Sequence, residues 1–206
     1  MKKLLCILFS FAILLSFSSC SFVERFSGDM SQLDYDEEGN LLYNGNAYYR
    51  ADNRFKVRTS TSDKVIELGW RSQFPFFPDM HYYAFDKENP LFIFCDNGES
   101  TLYNKGLYVR SDYDLYSNVY TVDNTNIEIP LSAAMTKSDV EVSAIDIDYE
   151  AVLYFKMFLK DNSNVQVEMS GPYQYGENWY FVNMGETWII SDEFVAMLKA
   201  NNIVSE

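Results

Sequence analysis

Between Ile145 and Leu159 every second residue is apolar: Ile145, Ile147, Tyr149, Ala151, Leu153, Phe155, Met157 and Leu159. A repeat of two is the period of a strand with one buried face, and no helix can place those side chains together. Val140, Val142 and Ala144 alternate just before it on the opposite parity. A one-residue bulge produces such a flip. Asp161-Asn162-Ser163-Asn164 then predicts a turn, and Val165, Val167 and Met169 a returning strand. The alternation exceeds the usual length of one strand, so a bend or break is expected near Glu150.

Strand signals dominate elsewhere too. Leu41-Leu42-Tyr43, then Asn44-Gly45, then Asn46 to Arg50 is a hairpin pattern, because Asn-Gly supplies the positive φ angles of a tight type I′ turn. Leu42 to Asp52 aligns without gaps to Leu102 to Asp112; both begin Leu-Tyr-Asn and both end Tyr-x-Arg-x-Asp. Tyr173 to Val182 is a looser third copy. The hairpin units around 41–52, 102–112 and 173–182 are either duplicated or alike through shared Tyr- and Asn-rich composition. Trp70 to Phe85 contains Pro75 and Pro78 and reads as an aromatic-rich loop. Helix is scarce. Ser191 caps a short helix whose first turn carries Asp192 and Glu193 and whose apolar stripe is Phe194, Met197 and Leu198, ending at Asn201-Asn202. A further turn of helix is expected within Leu131 to Lys137. The expected fold is mainly β: antiparallel hairpins with a bulged long strand and one short C-terminal helix.

The first residues are of another kind. Lys2 and Lys3 precede an apolar stretch from Leu4 to Phe17. That stretch is shorter than the roughly 20 residues of a membrane span and has the layout of an export signal. Phe17-Ser18-Ser19-Cys20 resembles the lipobox of bacterial lipoproteins, with Phe17 and Ser19 standing where that family has Leu and Gly or Ala. The resemblance covers the leader alone. It implies cleavage before Cys20, a diacylglycerol on the Cys20 sulfur and an acyl chain such as palmitate on the freed amine. The alternative is plain secretion with cleavage after Ser18 or Ser19. Residues 1–19 are then the signal peptide, 20–33 a tether, and 34–206 a single β-rich domain facing the outside of the cytoplasm. Two β-subdomains split near Tyr116 to Asn126 are the alternative. Removal of Cys6 with the leader leaves Cys95 as the free thiol of the folded part, so no internal disulfide can form.

A formal charge of −14 becomes more negative when the two leader lysines go. Nucleic acid, which needs clustered Lys and Arg, is excluded as a partner. Attachment to an anionic bilayer by charge is excluded too, leaving the lipid on Cys20 as the membrane contact.

Candidate sites have two readings each. Asp34, Asp36, Glu38 and Gly39 match the first positions of a calcium loop, but Gly45 stands where the bidentate Glu belongs; the other reading is a solvated acidic turn. Asp146, Asp148 and Glu150 share one face if 145–150 is a strand; they either hold a cation or form the wet side of a sheet. Trp70, Tyr82, Trp179 and Trp188 are the aromatics that would stack on a sugar ring if exposed, and core residues if not. His81, the single histidine, and Cys95 could pair only as a remote thiol–base dyad. No catalytic or cofactor-binding motif is present.

The function expected is that of an anchored binding or interaction module for a wall glycan, small solute or protein, rather than an enzyme. An acidic inhibitor or immunity-type lipoprotein directed at a basic exported protein is the alternative, and a carboxylate-dependent hydrolase a more remote one. The leader yields the first prediction. In cells given labelled palmitate, the full chain takes up label and sediments with membranes. Cys20→Ala loses the label and leaves the membrane fraction; label that persists in that variant excludes Cys20 as the attachment point.

Overall fold

The computed structural model describes residues 31–60, 63–71, 80–96, 106–147 and 154–204. The leader, Cys6, Cys20, Pro75, Pro78, Leu102 to Lys105, Asp148 and Glu150 lie outside them. In chain order the strands are β1 (Ser31–Gln32), β2 (Asp34–Tyr35), β3 (Leu41–Tyr43), β4 (Asn46–Arg50), β5 (Phe55–Val57), β6 (Ile66–Arg71), β7 (Met80–Ala84), β8 (Phe92–Asp96) and β9 (Gly106–Arg110). Then follow β10 (Val119–Val122), β11 (Glu128–Pro130), helix α1 (Leu131–Ala134), β12 (Met135–Ser138), β13 (Tyr154–Leu159), β14 (Asn162–Tyr175), β15 (Asn178–Asn183), β16 (Glu186–Ile190) and helix α2 (Asp192–Ala200). The fold is mainly antiparallel β with one short C-terminal helix, as the sequence predicts.

The first sheet runs β1-β6-β7-β8-β9-β4-β3-β2. Its two ends, β1 and β2, are one continuous extended segment joined by Leu33. That segment pairs in parallel with β6 and antiparallel with β3, so the sheet closes on itself as a barrel. Leu33, Leu41, Tyr48, Leu68, Tyr82, Ala84, Ile93, Cys95 and Tyr108 fill its interior. Leu33 is buried, so the fold starts inside the segment expected to be tether.

The second sheet runs β11-β10-β13-β14-β15-β16-β12, with β5 pairing on β14. It packs against the outside of the barrel. One cluster joins Phe92, Phe94, Leu107 and Val109 of the barrel to Phe155, Met157, Val165, Val167, Met169 and Phe181 of the second sheet. Strands β8 and β9 therefore bury both faces, which is why Leu91 to Cys95 is a continuous apolar run instead of an alternation. Phe155 stacks on Phe181 at 4.6 Å between centroids, and Phe194 of α2 meets Phe155 edge-on at 6.1 Å. Ser191 Oγ accepts from the Phe194 amide at 3.2 Å, the expected N-cap.

Details differ from expectation in four places. The phase flip at Val140 to Ile145 is a 3-10 turn, Val142–Ala144, and not a bulge: a turn of three residues per revolution reverses parity as one extra strand residue would. The 161–164 turn is shorter, since Leu159 already pairs with Asn162; the bulged long strand is β14, irregular between Ser170 and Tyr173. There Gly171 has φ +118°, and an added Cβ would lie 3.0 Å from the Tyr180 carbonyl oxygen. Helix α1 stops at Ala134, because Met135 pairs with Ile190 and starts β12. The 70–85 stretch is no continuous loop: Trp70 and Arg71 finish β6, and Met80 starts β7.

The Asn44-Gly45 turn forms as predicted, with φ 49° and 77°. The two similar segments lie side by side in the barrel wall: Tyr48 pairs with Arg110 and Arg50 with Tyr108, so each Tyr-x-Arg runs head to tail beside the other. The Ala51 amide donates to the Leu107 carbonyl at 2.8 Å, and the Ser111 amide to the Ala47 carbonyl at 2.9 Å. The likeness of the two phrases is thus a local two-fold pairing.

The core supplies a direct test. Phe181→Ala removes a fully buried ring and lowers unfolding free energy by about 3–5 kcal/mol in a denaturant titration, whereas exposed Thr136→Ala stays within about 0.5 kcal/mol of wild type.

Candidate functional site

The chain crosses from the barrel to the second sheet at Ala51 to Arg54, between β4 and β5. Asp52 makes that crossing tight. Its Oδ1 accepts from the Arg54 amide and from Arg54 Nε, both at 3.0 Å. Its Oδ2 accepts from Arg54 Nη2 at 2.7 Å and from Tyr116 Oη at 3.0 Å. Tyr116 lies on the later crossing, between β9 and β10, so both crossings end on one carboxylate. The Glu168 amide of β14 donates to the Arg54 carbonyl at 2.9 Å, fixing the turn to the second sheet.

The Arg54 side chain is only 6% exposed, unusual for a charge of any kind. Its guanidinium lies over the Trp188 indole, with Cζ 4.2 Å from the ring centroid. Phe55 and Tyr116 rings flank it at 5.8 and 5.9 Å. A desolvated guanidinium over an indole contributes about 2 kcal/mol. Among the described residues, Nε and Nη2 have Asp52 as acceptor and Nη1 has none.

Burial pushes the Asp52 carboxyl up, but the Arg54 hydrogen bonds and charge, helped by Tyr116, outweigh it and hold the group below its ordinary value. Burial and then the Asp52 charge push the Tyr116 phenol up to about 12, so it remains a donor. Around this cluster lies a groove of about 360 Å³, lined by Leu131, Met135 and Trp188 on its apolar side and by Lys137 and Glu186 at its rim. Lys137 Nζ and Glu186 Oε1 are 2.5 Å apart and both side chains are substantially exposed.

The sequence-predicted sites fare unequally. Trp188 reaches the groove, but at 3% exposure it cannot stack on a ligand as an open platform; its ring carries Arg54 instead. Tyr82 is buried inside the barrel at 2% exposure. Trp70 is half-buried on the outside of the barrel, since its partner His81 lies on the face opposite Tyr82. Trp179 is half-buried against the shared core. The four rings therefore form no common surface, because strand parity and sheet membership separate them. Asp146 lies outside any strand, after the 3-10 turn, while Asp148 and Glu150 lie outside the described residues. Asp36 is used by its own turn: Oδ1 accepts from the Glu38 and Asn40 amides at 3.0 and 2.8 Å, and Oδ2 from Asn40 Nδ2 at 2.9 Å. Those bonds, the Asn40 side chain foremost, hold its carboxyl low. Asp34 sits one pleat away in β2, and Glu38 is exposed on the turn. Among the described residues no group of three His, Cys, Asp or Glu side chains is placed to hold a metal. Cys95 pairs with Tyr82 and faces the barrel interior, while His81 faces outward and bonds Glu67 Oε1 through Nδ1 at 2.5 Å. The thiol and the imidazole are on opposite faces, so they form no dyad.

Sequence reasoning missed Arg54 and Asp52. The signal was an Asp-x-Arg phrase between two strands, where an Asx turn folds the side chain of the third residue back on the first. Among the described residues no helix is long and apolar enough to cross a membrane. No protein-family model, curated protein or solved structure matches the chain.

The Asp52 carboxyl gives a pH prediction. Its folded value lies below its unfolded one, so its stabilisation is present above the ordinary carboxylate range and is lost as pH falls through the folded value. Asp52→Asn is therefore less stable than wild type at pH 7 by about 2 kcal/mol, and the gap closes in titrations below about pH 4. A gap that stays constant down to about pH 2 would show that the pair carries no charge-dependent stability.

Proposed function

We propose that this protein is a lipid-anchored, extracytoplasmic binding module whose ligand enters the groove beside Arg54. The anchor rests on the lipobox-like Phe17 to Cys20 and the export-type leader. The binding role rests on one observation: a guanidinium withdrawn from water, fixed by Asp52 and Trp188, whose Nη1 edge has no acceptor among the described residues. Nη1 is not among the buried polar atoms left without a partner, so it keeps an open side, and the groove beside it lets an incoming oxygen reach it.

The lining sets the chemistry. An acceptor oxygen of the ligand takes the Arg54 Nη1 donors. Glu186 at the rim takes a hydroxyl or amine, Lys137 a second oxygen, and Leu131 and Met135 an apolar portion. A small polar solute, a terminal unit of a wall glycan or an extended side chain of a protein partner each fits a groove of about 360 Å³. Asp52 and Arg54 balance one another, as do Lys137 and Glu186, so net charge contributes little and geometry selects. The groove binds and orients its ligand; the anchor holds it at the envelope surface.

Trp188 reports on this site. In full-length chain carrying Trp70→Phe and Trp179→Phe, it is the remaining tryptophan. Muropeptides, wall oligosaccharides and small hydroxy acids are titrated in turn. The expected result is a saturable change in emission with at least one probe, weakened about tenfold by Lys137→Met, a rim variant that leaves the core intact. Flat emission across the panel would end the assignment of this groove.

A further inference from the structure

The hydroxyls inside the barrel hold one proton more than they can use. Tyr35 Oη lies 2.8 Å from Tyr82 Oη and 2.7 Å from Tyr108 Oη. Whichever way these bonds run, two bonds consume two protons, and three phenols carry three. Burial raises Tyr82 and Tyr108 well above the ordinary phenol value, so both stay protonated at neutral pH. Their side chains are more than nine-tenths buried, at 2% and 6% residue exposure. The third proton has no acceptor among the described residues. Tyr35 is the least buried of the three and can accept from both partners, so the surplus proton can point outward from it, where an atom with a lone pair can take it.

The neighbouring charge indicates what kind of atom. Arg71 is the last residue of β6, at the barrel end where Tyr35 closes the ring of strands. Its Cζ lies 4.2 Å above the centroid of Tyr35. Its charge lies over the ring, and among the described residues its N–H groups have no acceptor. Arg50 adds positive potential at Tyr108. Of the two carboxylates that flank Tyr35 in sequence, Asp36 is already taken up by the amides of its own turn and Asp34 is exposed. One ring, Tyr35, thus joins a surplus neutral donor to a cationic one. A carboxylate or phosphate group, with several oxygens on one atom, is the kind of ligand that can use a neutral and a cationic donor together.

We propose that this end of the barrel binds a small oxyanion, one oxygen accepting the surplus phenol proton and another lying against Arg71. The site is separate from the groove beside Arg54, and neither depends on the other. Free anion and the anionic end group of a larger molecule share this chemistry.

Full-length protein in a neutral detergent is titrated with inorganic phosphate, with acetate and with chloride at matched ionic strength, followed by thermal unfolding and calorimetry. Phosphate or acetate raises the midpoint saturably and chloride does not. Arg71→Gln, measured against its own midpoint in chloride, loses the saturable rise. Tyr35→Phe deletes both hydroxyl bonds; whatever its basal stability, calorimetry gives affinity at least about tenfold weaker than wild type. A phosphate arm that responds while acetate does not assigns a phosphate-type group, and the reverse a carboxylate. Equal responses in wild type and Arg71→Gln, an equal effect of chloride, or no saturable response to either oxyanion overturns the proposal.

Discussion

A guanidinium taken out of water must bring its partners with it, and the arrangement around Arg54 follows from that requirement. Asp52 comes from the same tight turn, Tyr116 from the second crossing between the sheets, Trp188 from β16 of the second sheet. These contacts can be made together only if the barrel and the second sheet are already packed. The cluster is therefore both a lock on the junction and a product of it. Removing one member leaves a charge buried without compensation, which is why such pairs specify geometry more than they add net stability.

The junction also explains the two-sided strands. β8 and β9 send Ile93, Cys95 and Tyr108 into the barrel and Phe92, Phe94, Leu107 and Val109 toward the second sheet. A barrel of this size has room for side chains and little else, so its interior polar atoms must satisfy one another. The phenols do so imperfectly, with one proton over. The barrel end and the groove have this in common: each is a place where donors outnumber the acceptors folding supplies.

Much of the local structure could be read from residue order. Period-two patterns located β13 and β14, Asn44-Gly45 fixed its hairpin, and Ser191 fixed the start of α2. Each rests on contacts within a few residues, where sequence spacing and spatial distance are the same thing. The misreadings were also local. A 3-10 turn and a bulge shift side-chain parity alike, so Val142 to Ile145 could not distinguish them. The candidate aromatics lie apart for another reason. Trp70, Tyr82, Trp179 and Trp188 were grouped by ring chemistry, but which face of which sheet each ring occupies depends on pairings tens of residues away.

Sequence alone determined the class of fold and the positions of turns and caps, because periodicity and backbone preference are properties of neighbouring residues. Only the tertiary structure decided that residues 31–35 close a barrel, that the two Tyr-x-Arg phrases lie side by side, and that Arg54 lies between a carboxylate and an indole. Those outcomes depend on which distant strands share hydrogen bonds. An alternating strand pattern permits many partners; burying both faces of β8 and β9 at once fixes the partners seen here.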